Sequence, residues 1–339
     1  MRHFSAPSLI WLLAILLPVA ALVSLTVGTV DISLSDALNA MTGISVNSQI
    51  HIILFDIRLP RILLAIAVGA VLASTGAVMQ GLFRNPLADP SLIGVSSGAS
   101  VGASLMIVTA GGVIQSGALL GLSLVAVGAF VGGFVATLLV YRLATSGIGT
   151  SVTTMLLAGI AIAALAGALN SLLSYFSDND MLRQISLWQM GNLSGASWTK
   201  VIIMGSVALL LMGFFPRDSK ALNALLLGES EARHLGIDVQ RVKRRLIVLT
   251  ALGVGVSVAL AGLVGFVGLI MPHIVRLAIG PDHRWLVPAA ALAGATLLVI
   301  ADSLARIVVI PAELPTGILT ALLGAPFFVA LLLQQRKDV

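Results

Sequence analysis

Apolar residues run along this chain in stretches of about 20, each ended by a short polar segment. The first run goes from Leu9 to Gly28. A mixed segment, residues 31–57, follows and carries Asp31, Asp36, His51 and Asp56. Arg58-Leu-Pro-Arg61 opens a second run that ends at Gln80. Further runs cover 93–110, 118–141, 152–175, 198–215, 246–262, 265–280, 286–306 and 316–334. A helix needs about 20 apolar residues to cross a bilayer, whereas a barrel strand needs about 10 with strict alternation. The pattern therefore predicts an all-α polytopic membrane protein: ten transmembrane helices in one membrane domain over residues 1–339. The first run is long for the apolar core of a signal peptide and reads as an uncleaved span. Segment 31–57 reads as an external loop carrying a surface helix.

Composition agrees. The chain has 339 residues, 58% hydrophobic and 10% charged, with a mean hydropathy of +1.08. A soluble domain carries about 25% charged residues. Gly94, Gly98 and Gly102 fall four apart on one helical face, as do Gly128 and Gly132, which suits helices in close contact in lipid. The chain has no cysteine, so disulfides, zinc–thiolate sites and thiol nucleophiles are excluded.

The basic excess is a matter of topology rather than of nucleic-acid binding. With ten spans, the side of the termini carries Arg2, Arg84, Arg142, seven residues of one loop, Arg276, Arg284, Arg336 and Lys337. The opposite side carries only Arg58, Arg61, Arg183, Lys200 and Arg306. That asymmetry puts both termini in the cytoplasm.

The seven-residue concentration lies in Pro216–Arg245. There Leu222, Leu225 and Leu226 make an apolar stripe, Gly228 interrupts it, and Glu229–Leu235 forms a second short helix stopped by Gly236. Two short helices separated by a glycine make a docking surface for a soluble partner. Other polar segments punctuate the spans. Gly81–Pro90 has two prolines, with Asn85 and Asp89 as capping residues. Gly262–His273 has the glycines and proline of a broken helix. Glu313-Leu-Pro-Thr-Gly317 sits at the external mouth of the last span. Asp302 and Arg306, four apart inside a span, read as a structural ion pair. His273 reads as a satisfied buried histidine, and the five histidines show no metal-ligand spacing.

Five stretches together carry a resemblance. They are Arg58-Leu-Pro-Arg61, Gln80–Pro90, Leu227–Gly236, Gly265-Phe-Val-Gly-Leu-Ile-Met-Pro-His273, and Glu313–Gly317 with Gly324-Ala-Pro-Phe327. In this order and spacing the chain resembles the FecCD family, the membrane subunits of type II ABC importers for heme, iron-siderophores and vitamin B12. The departure is small: Leu263-Val264 stands where many members have Pro-Ile or Ala-Ile.

The resemblance implies a permease in the cell inner membrane that works as a homodimer. It implies two ATP-binding subunits below, which use ATP and Mg, and a periplasmic substrate-binding protein above. The family's ATPase-coupling segment matches Leu227, Gly228, Glu229, Glu231, Ala232, Arg233, Leu235 and Gly236. Its binding-protein docking arginines match Arg58, Arg61 and Arg306. Its cytoplasmic gates match Asn85, Leu87, Thr150, Ser151 and Thr153. The chain is expected to bind no cofactor and no metal. It has no Gly-Lys dipeptide, hence no Walker A loop and no catalytic residues of its own. The segments Tyr175–Gly191, Gly195–Trp198 and Gly280–Trp285 look most like heme-uptake members. Vitamin B12 or ferric-siderophore import is the alternative within the family. An ion-coupled secondary transporter is the alternative outside it, and it would have to use Asp302.

Overall fold

The computed structural model describes residues 5–42, 47–110, 119–147 and 149–335. Arg2, His3, Arg336 and Lys337 of the sequence reading lie outside these. Each of the ten apolar runs is a helix. In chain order the helices are α1 (Ala6–Thr26), α2 (Leu34–Met41), α3 (Ser48–Phe83), α4 (Val95–Thr109), α5 (Leu119–Ala144), α6 (Val152–Tyr175) and α7 (Asn179–Gln189). They continue with α8 (Trp198–Phe214), α9 (Ser219–Leu227), α10 (Glu229–His234), α11 (Val239–Ala261), α12 (Val267–Ile279), α13 (His283–Ala305) and α14 (Thr316–Gln335). A two-residue hairpin, Thr145–Ser146 with Gly149–Thr150, joins α5 to α6. Among the described residues seven helices are long and apolar enough to cross a membrane; the apolar stretches of α4, α12 and α14 are shorter.

One boundary differs from expectation. Helix α3 begins at Ser48, ten residues before Arg58, so the last ten residues of the expected external loop belong to a span. Charged Asp56 and Arg58 and the proline at 60 made this part read as a loop. A proline inside a helix removes a donor and crowds the carbonyl four residues earlier. Here a π-helical turn, Ile53–Arg58, widens the backbone just before Pro60 and lets the helix pass through it.

Helix α3 is the hub. Its apolar stretch is 83% buried, against 17% for α6, so α3 is the centre and α6 the periphery. A Cβ on Gly69 would lie 2.4 Å from the Gly294 carbonyl oxygen of α13, and one on Gly76 would lie 1.8 Å from that of Gly268 in α12. The two glycine stripes noted above face each other. A Cβ on Gly98 would come within 2.3 Å of the Gly132 oxygen, and one on Gly102 within 2.0 Å of the Gly128 oxygen. The break after α11 is also present: Gly262 turns with φ 70°, and Phe266, at φ 67°, starts α12.

The loops gather in two sets. In one set Asn223 joins Asp282, and Lys243 joins Thr150. In the other, Arg61 reaches Glu313, Arg58 reaches the Val30 carbonyl, and the Trp198 indole N–H donates to Phe55 O at 3.1 Å. The first set holds the basic loop and, by the charge asymmetry, is cytoplasmic.

Replacing Gly102 by leucine should abolish the α4–α5 contact, because the obstructing atoms are backbone. Size-exclusion profiles and thermal stability in detergent should show loss of folded protein. Gly213→Ala, where a Cβ meets nothing within 4 Å, should leave both unchanged.

Candidate functional site: the cytoplasmic coupling surface

The stretch from 215 to 245 folds as its sequence suggests. Helix α9 buries Leu222 and Leu225, while Leu226 is half-buried. Gly228 adopts φ 130°, a conformation closed to side chains, and so sets the angle between α9 and α10. Gly236 (φ 80°) ends the pair. Asp218 is buried and forms an ion pair with Arg245, which anchors the start of α9.

The eight residues matched to a coupling segment divide into two groups. Leu227 (71% exposed) and Leu235 (65%) stand out as apolar knobs, with Glu231, Arg233 and Gly236 exposed around them. Ala232 is buried, and Glu229 turns inward. Exposed leucines ringed by charge are the usual anatomy of a protein-binding patch.

Glu229 leads to a feature the sequence reading missed. Lys243 is 2% exposed, and its Nζ donates to Glu229 Oε1 at 2.5 Å and to the Thr150 carbonyl at 2.9 Å. Gln240 Oε1 accepts the Thr150 N–H at 2.9 Å. A buried ammonium is stable only when paired and hydrogen-bonded, so these contacts are compulsory. They tie α10, α11 and the hairpin leading into α6 into one unit. A signal existed: Val239, Lys243, Leu246 and Thr250 recur at helical spacing, which puts a lysine on an apolar stripe.

Asn223 makes a second tie. Its Nδ2 donates to Asp282 Oδ1 at 2.7 Å, and its Oδ1 accepts the His283 N–H at 2.9 Å. The Arg284 guanidinium holds the Asp282 carboxyl down to about 2, so Asp282 is ionised at any cellular pH.

Of the residues matched to gates, Asn85 Oδ1 accepts Leu87 N–H at 2.9 Å, which stiffens the turn after α3. Leu87 lines a small cavity with Pro86, His273 and Phe327. Thr150 is buried in the lysine tie, Ser151 Oγ accepts Thr154 N–H at 3.3 Å as the cap of α6, and Thr153 is exposed. The two sets thus have different neighbours. His273 is buried as expected, but its Nδ1 has no hydrogen-bond partner among the described residues, so it is not the satisfied histidine anticipated. No cluster of potential metal ligands occurs among the described residues.

On the opposite side Arg58, Arg61 and Arg306, the three arginines matched to docking groups, are only 4%, 4% and 3% exposed in the single chain. Arg58 donates to the Leu25 and Val30 carbonyls. Arg61 Nε bonds both Asp302 oxygens, at 3.0 and 2.9 Å, and its Nη1 reaches Glu313 at 2.7 Å. Arg306 donates to the Ser24 and Val27 carbonyls and lies 3.4 Å from Asp302. These bonds join the ends of α1, α3, α13 and α14 within the single chain. Asp302 is accordingly a structural group: Thr316 Oγ1 also donates to it, at 3.0 Å. It has no free oxygen with which to couple an ion.

Residues 16–334 match the model of the FecCD transport family. The chain is 46% identical over 328 residues to the hemin transport system permease protein HmuU of Yersinia pestis, covering 96% of this chain and 95% of that one. It is 42% identical over 329 residues to the vitamin B12 import system permease protein BtuC of Shigella boydii, covering 96% of each. A solved structure of a metal-chelate type ABC transporter in an inward-facing conformation superposes with a TM-score of 0.82 at 35% identity, over 97% of this chain and 99% of that one. This chain belongs to the FecCD transport family.

Removing the shared acid should be costly. Asp302→Ala leaves Arg61 and Arg306 buried beside no carboxylate at 302, a loss of about 3–5 kcal/mol. Thermal unfolding in detergent should show it. Glu313→Gln should cost far less, because Glu313 is one-third exposed and Arg61 keeps Asp302.

Proposed function

We propose that this chain is the membrane-spanning permease subunit of an ATP-driven importer, with heme or a related iron chelate as cargo. It takes the cargo from a binding protein on the external side and passes it inward by alternating access. Two copies form the pathway, and ATP is hydrolysed by partner subunits that seat on α9 and α10. The observation that carries this reading is the exposed Leu227–Leu235 patch on a helix pair whose inner face is fixed to α11, α13 and the α5–α6 hairpin. A partner pushing on that patch moves all of them together. Similarity to the hemin permease favours heme. The B12 permeases match nearly as well, and cobalamin is the second cargo to test.

Proteoliposomes holding the chain and its ATPase, with ATP inside, should take up heme from a loaded binding protein and be indifferent to proton and sodium ionophores. Uptake that needs an ion gradient and ignores ATP would defeat the proposal. Glu231→Arg or Gly236→Pro should abolish uptake while assembly persists. Lys243→Met should lower uptake at least tenfold while ATPase activity persists, since the tie from α10 to α6 is gone; uptake and hydrolysis falling in parallel would show that Lys243 serves only folding.

A further inference from the structure

Helices α5 and α11 pack side by side in opposite directions, with the Phe130 ring in contact distance (3.5 Å) of the site a Cβ on Gly255 would occupy. On the cytoplasmic side of this contact a groove of about 330 Å³ lies between them, lined by Phe134, Leu138, Tyr141, Val248 and Ala251. It is open to the bilayer: Phe134 is 58% exposed and Val248 60%. Its lining continues into charge. Phe134, Leu138 and Arg142 follow at intervals of four on α5, as do Arg244, Val248 and Leu252 on α11. From the Phe130–Gly255 contact Arg142 lies 12 residues on along α5 and Arg244 11 residues back along α11, so both stand toward the cytoplasmic end of the groove.

Both arginines are exposed, and neither has a hydrogen bond or ion pair with any described residue. Their neighbours differ: Arg241 pairs with Asp238, Lys243 with Glu229, and Arg245 with Asp218. Two guanidinium groups without a carboxylate partner leave forked N–H donors free for a phosphodiester. An apolar groove in lipid that ends in paired cations at the cytoplasmic surface has the form of a site for an anionic lipid.

We propose that the α5–α11 groove holds one acyl chain of an anionic phospholipid, with Arg142 and Arg244 on its phosphate. The chain's four tryptophans all lie outside the groove lining, so Phe134→Trp adds a local reporter. The full-length protein carrying it is placed in phosphatidylcholine vesicles and titrated with phosphatidylglycerol or phosphatidylcholine bearing brominated acyl chains. The parent without the reporter gives the background. Brominated phosphatidylglycerol should quench with a half-saturation about fivefold lower or better. Arg142→Gln with Arg244→Gln should make the two lipids equal, and Arg142→Lys with Arg244→Lys should keep most of the preference. If the glutamine variant does not fold, salt decides instead: the preference should fall as the ionic strength is raised, because an exposed phosphate contact is screened. Equal quenching by both lipids overturns the proposal. So does a preference that survives the glutamine pair or is indifferent to salt. Loss of phosphatidylglycerol quenching when the ATPase subunit is added would also overturn it, by showing that the arginines serve that subunit.

Discussion

Close approach of helix backbones is the constraint on which this architecture rests. Lipid tails are as apolar as leucine side chains, so helices in a bilayer gain little by hiding apolar surface from them. Adhesion must come from dense contact and from polar bonds. Helix α3 supplies the contact through Gly69 and Gly76, which admit the backbones of α13 and α12. Helix α12 is short and begins from a left-handed residue, Phe266; against any bulkier neighbour it would not reach the hub. Helix α14 depends on it in turn, because Gly324 packs onto the Phe266 side chain.

Polar bonds then fix the two rims of the bundle, and the two rims do so differently. On the external rim a single carboxylate, Asp302, holds two arginines and a threonine, binding α3, α13 and α14 at one point. Around it, arginines of α3 and α13 secure the end of α1 through backbone carbonyls. On the cytoplasmic rim the equivalent node is a cation, Lys243, and what it holds are a helix of the charged loop and a hairpin. The external node joins spans to spans, whereas the cytoplasmic node joins a docking surface to a span.

Much of this was legible in the sequence. Runs of about 20 apolar residues are the signature of spans, and all ten are helices because lipid permits no other use of such a run. The α9–α10 pair was readable from Gly228 and Gly236, since glycine in those places is a local backbone requirement. The glycine stripes of α4 and α5 were readable as faces, and they proved to be each other's partner. The π turn before Pro60 was not readable, because a proline among charged residues gives the same local signal as a loop. The burial of Arg58, Arg61 and Arg306 in the single chain was hidden for another reason. Arginines at a span end look alike in sequence whether their side chains are exposed or buried, and the carboxylate that Arg61 meets, Asp302, lies 241 positions away. Lys243 stood on an apolar stripe, but its acceptors, Glu229 and a backbone carbonyl at 150, lie on other elements.

Helix α8 does not end where the membrane does. Through a 3-10 turn at Phe215–Asp218 it runs on into α9, making one helical segment of 30 residues, Trp198–Leu227. At 1.5 Å per residue its contour is about 45 Å, more than the thickness of the hydrocarbon core. One tip carries the exposed Leu227. The other is clipped to α3 through the Trp198–Phe55 hydrogen bond. The two faces of the membrane are thus joined by one continuous helical segment as well as by the packed core, with its single change of helix type, the turn at Pro216, just where α8 gives way to the docking pair.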